Sequence, residues 1–186
     1  MHTLCGIDEA GRGPIAGDLV VAGSIFYPDT NIIGLNDSKK ISEKKRYKLF
    51  DEILENTINH IVVIKPDELD KFGISKCMTK ALEEIKIKLS ADSYLFDGNT
   101  TFGVSGLDTM VKADGKVAQV SAASILAKVT HDRNIIRDAE LYPEYGFEKH
   151  KGYGTALHVE MIKKYGYCPI HRRSFKLKAL SGTLFD

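Results

Sequence analysis

The chain has 186 residues, of which 43% are hydrophobic and 27% charged, with a formal net charge of +1. That is the length of a single domain able to bury its own core. No apolar run reaches the roughly 18 residues of a membrane span, the start Met1-His2-Thr3-Leu4-Cys5 is not a signal peptide, and three scattered cysteines make neither a disulfide framework nor a metal knuckle, which favours a reducing, cytoplasmic setting.

In chain order, Thr3 to Ile7 is a short apolar run ending on Asp8-Glu9, and Gly11, Gly13 and Pro14 turn the chain. Leu19 to Phe26 is almost wholly apolar and predicts a buried strand. Ser42 is placed to cap a helix whose apolar face carries Tyr47, Phe50, Ile53 and Leu54. Ile61 to Ile64 is β-branched and stops short of Pro66, as a strand does. Met78, Ala81, Leu82, Ile85 and Leu89 predict a second amphipathic helix, capped by Ser75. Tyr94 to Phe96 and Thr109 to Val111 are short strands ending on or near Asp97 and Asp114. Val120 to Asp138 predicts a long buried helix carrying Ala122, Ile125, Leu126, Val129 and Ile136, and a last helix starts after Thr155 and stops before Pro169. This order predicts an α/β layered fold. The first two strands are too close for a helical crossover and are expected antiparallel; the later ones can be parallel.

Charge is unevenly spread. Asp37 to Lys48 holds six bases against Asp37 and Glu43, and Lys149 to Lys178 holds eight against Glu160. Such blocks are solvated faces or a surface for a polyanion.

The acids share one placement. Asp8-Glu9, Asp97 and Asp114 each sit at or just after a strand end, where α/β sheets collect ligands. Converging carboxylates repel, and a hard divalent cation such as Mg²⁺ or Mn²⁺ relieves that repulsion through oxygen ligands. Asp97-Gly98-Asn99 is equally the composition of a plain turn. Taken alone, Gly11-Arg12-Gly13 reads as a tight turn with an exposed arginine, although its glycines allow close backbone approach and its arginine offers donors to a phosphate.

Six segments in order carry a resemblance. Gly6-Ile7-Asp8-Glu9-Ala10-Gly11-Arg12-Gly13-Pro14, Asp37-Ser38-Lys39-Lys40, Phe96-Asp97-Gly98, Lys112-Ala113-Asp114 with Ser121 to Val129, His150-Lys151-Gly152-Tyr153-Gly154-Thr155, and His171-Arg172-Arg173-Ser174-Phe175 resemble the motifs of the ribonuclease HII family, the type 2 ribonucleases H. Together they span nearly the whole chain. The resemblance implies an RNase H-like fold: a five-stranded mixed sheet flanked by helices, in one catalytic domain over 1–186 whose part from about 140 to 186 is a small, basic, helical appendage. It implies metal-binding, catalytic carboxylates at Asp8, Glu9, Asp97 and Asp114. It implies that Gly11-Arg12-Gly13 and Tyr153 read the junction between a ribonucleotide and the deoxynucleotide after it. Two positions depart from the family's usual pattern: Asp18 stands where a proline is usual and His131 where an arginine is common. Asp132 is left as a helix-surface or structural residue.

The implied activity is endonucleolytic hydrolysis of RNA in RNA–DNA hybrids and 5′ of ribonucleotides embedded in duplex DNA, giving 3′-hydroxyl and 5′-phosphate ends. Two cations about 3.5–4 Å apart activate water and neutralise the leaving oxygen without a histidine base. Lys39, Lys128 and Arg172 are expected to contact phosphates, and His150 and His171 to add to the basic face. Tyr153 offers a flat ring that an extra 2′-oxygen on the next sugar would crowd.

Two rivals belong to other classes. Tyr94 to Thr100 superficially resembles the nucleophile strand of a haloacid dehalogenase-type phosphatase, with Asn99 in place of the second aspartate. A non-catalytic nucleic-acid-binding module is the other. Nothing demands more than a monomer. The end of the chain carries Leu184-Phe185, which either folds back on the core or docks on a sliding clamp, although it lacks the glutamine usual in clamp motifs.

Overall fold

The computed structural model describes residues 2–176. Its centre is a five-stranded sheet in the order β3-β2-β1-β4-β5, built from β1 (Leu4–Ala10), β2 (Leu19–Phe26), β3 (Thr57–Ile64), β4 (Ser93–Asp97) and β5 (Asp108–Met110). β1 and β3 both run antiparallel to β2, whereas β4 is parallel to β1 and to β5. The helices are α1 (Glu43–Asn56), α2 (Pro66–Lys88), α3 (Ala118–Leu141), α4 (Phe147–His150) and α5 (Ala156–Tyr165). Among the described residues no helix is long and apolar enough to cross a membrane.

Strand alternation sorts the core into two layers. Leu19, Val21 and Ile25 of β2 join Cys5, Ile7 and Phe96 against Met78, Leu82 and Ile85 of α2. Val20 and Ala22 face the other way, onto Leu49, Phe50 and Ile53 of α1 and Ile125 and Leu126 of α3. Covered on both sides, β2 needs no polar face, which is why it reads as an unbroken apolar run. A third cluster joins Ile15 and Ala16 to Ile135 and Ala139 of α3 and to Tyr145, Phe147, Ile162 and Cys168. It ties the C-terminal segment to the turn after β1.

Several expectations shift. α1 buries Leu49 and leaves Leu54 41% exposed, because the helix presents 49, 50 and 53 to α3. Ser42 occupies its N-cap position but makes no side-chain cap bond. The helix expected from Ser75 follows directly on a shorter one that begins at Pro66, whose fixed φ suits a first turn; the two meet in a break at Gly73, where φ is +77°. In α3 the buried residue is Ile135, not Ile136. β3 starts at Thr57 because it pairs along the full length of β2.

Candidate active site

Sheet register assembles the acids. β1 and β4 are parallel neighbours with Ile7 opposite Phe96, so the next residues, Asp8 and Asp97, emerge side by side. Gly6 precedes Asp8 on the same face and lies so close to Gln119 and Val120 that a Cβ would collide with their backbone, which lets α3 pack down onto β1. Beyond β5, Lys112 takes a left-handed conformation with φ 59° and feeds a 3-10 turn, Ala113–Gly115. The turn is held by Asp97, whose Oδ1 accepts from Lys112 N at 3.1 Å and Oδ2 from Asp114 N at 2.9 Å. Ser121 of α3 donates to the Asp114 carbonyl. The outcome is that Asp8, Asp97 and Asp114 each offer one carboxylate oxygen within 4.8 Å of the others.

Glu9, next along β1, alternates away from this trio. Arg12 donates to its Oε1 at 2.9 Å, while its Oε2 is buried with no hydrogen-bond partner. β1 runs through both acids to Ala10, so Asp8 and Glu9 lie inside a strand rather than at its end.

The electrostatics are those of an underpaid cluster of negative charge. Burial, then the charge of Glu9, holds the Asp8 carboxyl well above the usual range, although the Ser124 hydroxyl and the Glu9 amide pull the other way. Burial also raises Glu9 against the opposing pull of Arg12. Burial, then Asp97 and Asp37, pushes Asp114 up to about 6. An all-oxygen donor set, a buried unpartnered carboxylate oxygen and carboxyls that resist ionising together fit a hard divalent cation.

Asp37 is the residue sequence reading passed over. It served there only as the first letter of a loop motif, yet the fold sets it beside Asp114. No local pattern points to it, since the partner lies far downstream. Its Oδ1 accepts from Lys39 N at 2.9 Å, and Lys40 Nζ stands 3.8 Å from Oδ2. Ser38 Oγ and Ser124 Oγ, 3.0 Å apart, join this loop to α3.

The acids floor an open cleft of about 790 Å³ whose walls include Gly11, Arg12, Gly13, Lys39, Lys128 and Tyr153. Gly11 needs its hydrogen: at φ +88°, a Cβ would lie 2.5 Å from both the Asp18 carbonyl and the His131 ring. Tyr153, 45% exposed, lies across from Gly13, with its Cε1 3.7 Å from where a Gly13 Cβ would be. Lys128 bonds Asp132 Oδ1 at 2.8 Å, and His131 Nδ1 meets the same oxygen at 2.9 Å. Asp132 is therefore buried and structural, not a helix-surface residue.

Arg172 does not join the cleft. It is 1% exposed, and its guanidinium donates to the carbonyls of Gly17 (2.9 Å), Pro14 (2.8 Å) and Asp18 (2.8 Å) while lying over the Phe175 ring. Every nitrogen of the fork is used within the protein, so the expected phosphate contact gives way to a clamp on the turn after Gly13. His150 and His171 are likewise buried rather than part of the basic face. Asp18, where a proline is usual, is buried and accepts from Lys65 Nζ at 2.9 Å and Asn134 Nδ2 at 2.8 Å.

Comparison with known proteins places these features. The family model for ribonuclease HII matches residues 5–178. A ribonuclease HII of Sulfurovum sp. strain NBC37-1 is 60% identical over 183 residues, covering 98% of this chain and 96% of the relative. The ribonuclease HII of Archaeoglobus fulgidus, solved in complex with PCNA, superposes with a TM-score of 0.82 at 28% identity, over 95% of this chain and 96% of that one. Ribonuclease H2 of Pyrococcus horikoshii OT3 gives 0.75 at 29% identity, over 94% of each. The phosphatase and the non-catalytic binding readings fall with this match. The chain belongs to the ribonuclease HII family, with its RNase H-like fold, and is a hydrolase: an endoribonuclease of the ribonuclease H class.

Proposed function

We propose that this ribonuclease H, besides cutting the RNA strand of RNA–DNA hybrids, cuts duplex DNA on the 5′ side of an embedded ribonucleotide, leaving 3′-hydroxyl and 5′-phosphate ends. The observation that carries the reading is the sharing of one cleft: the acid trio lies on its floor, while Gly11 to Gly13 and Tyr153 face each other across its wall. Backbone groups of the glycine turn reach the 2′-hydroxyl, the one group that separates RNA from DNA at a nucleotide. The Tyr153 ring rests against the following sugar, where a second 2′-oxygen would crowd it.

Asp8, Glu9, Asp97 and Asp114 would hold two divalent cations, Mg²⁺ or Mn²⁺. When bound, such ions supply a nucleophilic water at neutral pH and neutralise the phosphate and the leaving oxygen. The chain's own residues hold the substrate in register. Arg12 keeps Glu9 aimed by a 2.9 Å bond, the Lys112 and Asp114 amides fix both oxygens of Asp97, and Lys39 and Lys128 bring positive charge to the phosphate track. No histidine lines the cleft among the described residues, so proton transfer does not call on one.

A DNA duplex carrying one ribonucleotide, incubated with and without Mg²⁺ or Mn²⁺, tests the proposal. Metal-dependent cleavage at the 5′ side of the ribonucleotide with 5′-phosphate ends is expected, and cleavage confined to all-RNA strands would overturn it. A sliding clamp is a second proposed partner, favoured by the complex in which the Archaeoglobus fulgidus relative was solved. Leu184 and Phe185 lie outside the described residues, and loss of clamp binding on deleting 184–186, with the melting temperature unchanged, would assign the contact to them.

A further inference from the structure

The C-terminal segment holds three histidines for which hydrolysis has no use. His150, His158 and His171 are all buried around Tyr145 and Phe147. Their hydrogen bonds dictate where the protons sit. Three groups of Cys168 surround His171 Nδ1: the amide at 2.9 Å, Sγ at 3.0 Å and the carbonyl at 3.3 Å; the amide is the nearest and can only donate, so Nδ1 is an acceptor and the neutral ring carries its proton on Nε2. His171 Nε2 lies 3.0 Å from His158 Nε2, which must accept. His158 is then protonated on Nδ1, which donates to the Tyr153 carbonyl at 2.9 Å. Donors and acceptors then alternate from the Cys168 amide through His171 and His158 to Tyr153. Protonating either ring would set two N–H groups against each other.

This relay ends on the residue that faces Gly13 in the cleft. The rest of the Tyr153 backbone is held from both sides. Its amide donates to His150 O at 2.9 Å, its carbonyl also accepts from Thr155 N at 2.8 Å, and the preceding Gly152 carbonyl accepts from Ile15 N at 2.9 Å and Ala16 N at 3.3 Å. Gly152, at φ +81°, lies so close to the Ala16 carbonyl that any Cβ would collide with it. Arg172, next to His171, clamps the opposite wall through Pro14, Gly17 and Asp18. One dipeptide thus holds both sides of the gap between the glycine turn and Tyr153.

We propose that His171, acting through His158, is a positioning residue that fixes Tyr153 relative to Gly13 and thereby sets discrimination at the nucleotide after the ribonucleotide. The inference rests on the junction reading given above and deepens it. Burial, helped by His150 beside His158 and by His158 beside His171, brings both imidazoles down to about 4, so both rings stay neutral under assay conditions.

The test uses the full chain and two substrates, a DNA duplex with one embedded ribonucleotide and a uniform RNA–DNA hybrid. His171→Phe keeps a ring against Tyr145, Phe147 and Tyr167 but has no proton to give. It is expected to lower cleavage of the embedded substrate relative to the uniform hybrid by about tenfold to a hundredfold, the scale of a sub-ångström to ångström misplacement. His171→Gln, whose amide can donate to His158, is expected to recover most of that ratio. A purely structural role would slow both substrates alike, and that result overturns the proposal. Long-range ¹H–¹⁵N spectra of the unmodified protein give a readout independent of activity: His158 protonated on Nδ1 and His171 on Nε2 support the relay, and His158 protonated on Nε2 ends it even where His171→Phe does not fold. Tyr153→Ala separates the two layers of argument. An unchanged ratio in Tyr153→Ala brings down the junction reading and this inference with it. A changed ratio there, with none in His171→Phe, brings down the relay alone.

Discussion

A half-buried cluster of acids and a buried pair of imidazoles lie among the described residues, and they solve the same problem in opposite ways. At the sheet, Asp8, Asp97 and Asp114 bring like charges within 4.8 Å, with Glu9 and Asp37 nearby. In the C-terminal segment, His158 and His171 meet at 3.0 Å as neutral rings. The carboxylates cannot satisfy one another, because ionised oxygens only accept hydrogen bonds. Imidazoles can, since each neutral ring has one donor and one acceptor. The first cluster therefore calls for a cation, whereas the His158–His171 pair satisfies itself.

The sharpest way to break this comparison is to neutralise an acid. Asp8→Asn, Glu9→Gln, Asp97→Asn and Asp114→Asn are each expected to cut hydrolysis on the order of a thousandfold, beyond the tenfold to hundredfold typical of groups outside the ligand shell. Metal-free melting temperature should hold level or rise in Asp8→Asn, Glu9→Gln and Asp114→Asn as repulsion is relieved, and should fall in Asp97→Asn, whose amide can accept from only one of the Lys112 and Asp114 amides. Mn²⁺ is expected to raise the melting temperature of the unmodified protein by binding the folded state, and Asp8→Asn should lose that gain. Normal turnover in Asp114→Asn with loss in Asp132→Asn would show that the ligand set is misassigned.

Arg172 probes the self-sufficient region. Arg172→Ala leaves three buried carbonyls without their donor and is expected to cost at least about 3 kcal/mol of stability, read by denaturant unfolding. Arg172→Lys should rescue little, because an ammonium cannot span three carbonyls as the fork does. Unchanged stability with weakened substrate binding would restore the phosphate-contact role.

Acid titration sets the regions against each other. The folded Asp114 carboxyl, at about 6, lies above its ordinary 3.8, so its penalty is relieved as pH falls through about 6. His158 and His171, at about 4 against an ordinary 6.5, keep their full contribution above pH 6.5 and lose it as pH falls toward 4. In metal-free protein Asp114→Asn should steepen the fall of melting temperature over that window, and His171→Phe should flatten it. Parallel curves for all three proteins would refute the opposition. The smallest effect belongs to the exposed cleft rim: Lys39→Ala should reduce the salt slope of substrate binding by about one unit, and an unchanged slope would return Lys39 to a solvated face.

Local pattern made much of this legible. β2 from Leu19 to Phe26 is bounded as the apolar run predicts, and the helix after Thr155 starts where its cap does, with the Thr155 side chain accepting from His158 N. The placement of acids along short strands was also visible, because strand ends and carboxylates are both local signals. Other features depend on partners far away in the chain. Leu49 and Leu54 are equally apolar, and only the position of α3 decides which is buried. Asp37 enters the site through a loop whose neighbour is Asp114. Arg172 and His171 look cationic and exposed in a basic stretch, yet the carbonyls and rings that enclose them come from residues 14–18, 145–147 and 158.

The Arg172 clamp spans 154 to 158 positions of sequence in each of its three bonds. Closing a loop of 158 residues costs almost nothing more than closing one of 154, so the three bonds form and break as a unit. The same unit takes in the amides of Ile15, Ala16 and Gly17, which donate to Gly152 and Ile170, and of Arg172, which donates to Ile15. Those amides cannot be released by fraying of a single helix or strand. In hydrogen exchange they belong with the slowest class, protected up to the global unfolding free energy, although they lie in a turn on the rim of an open cleft.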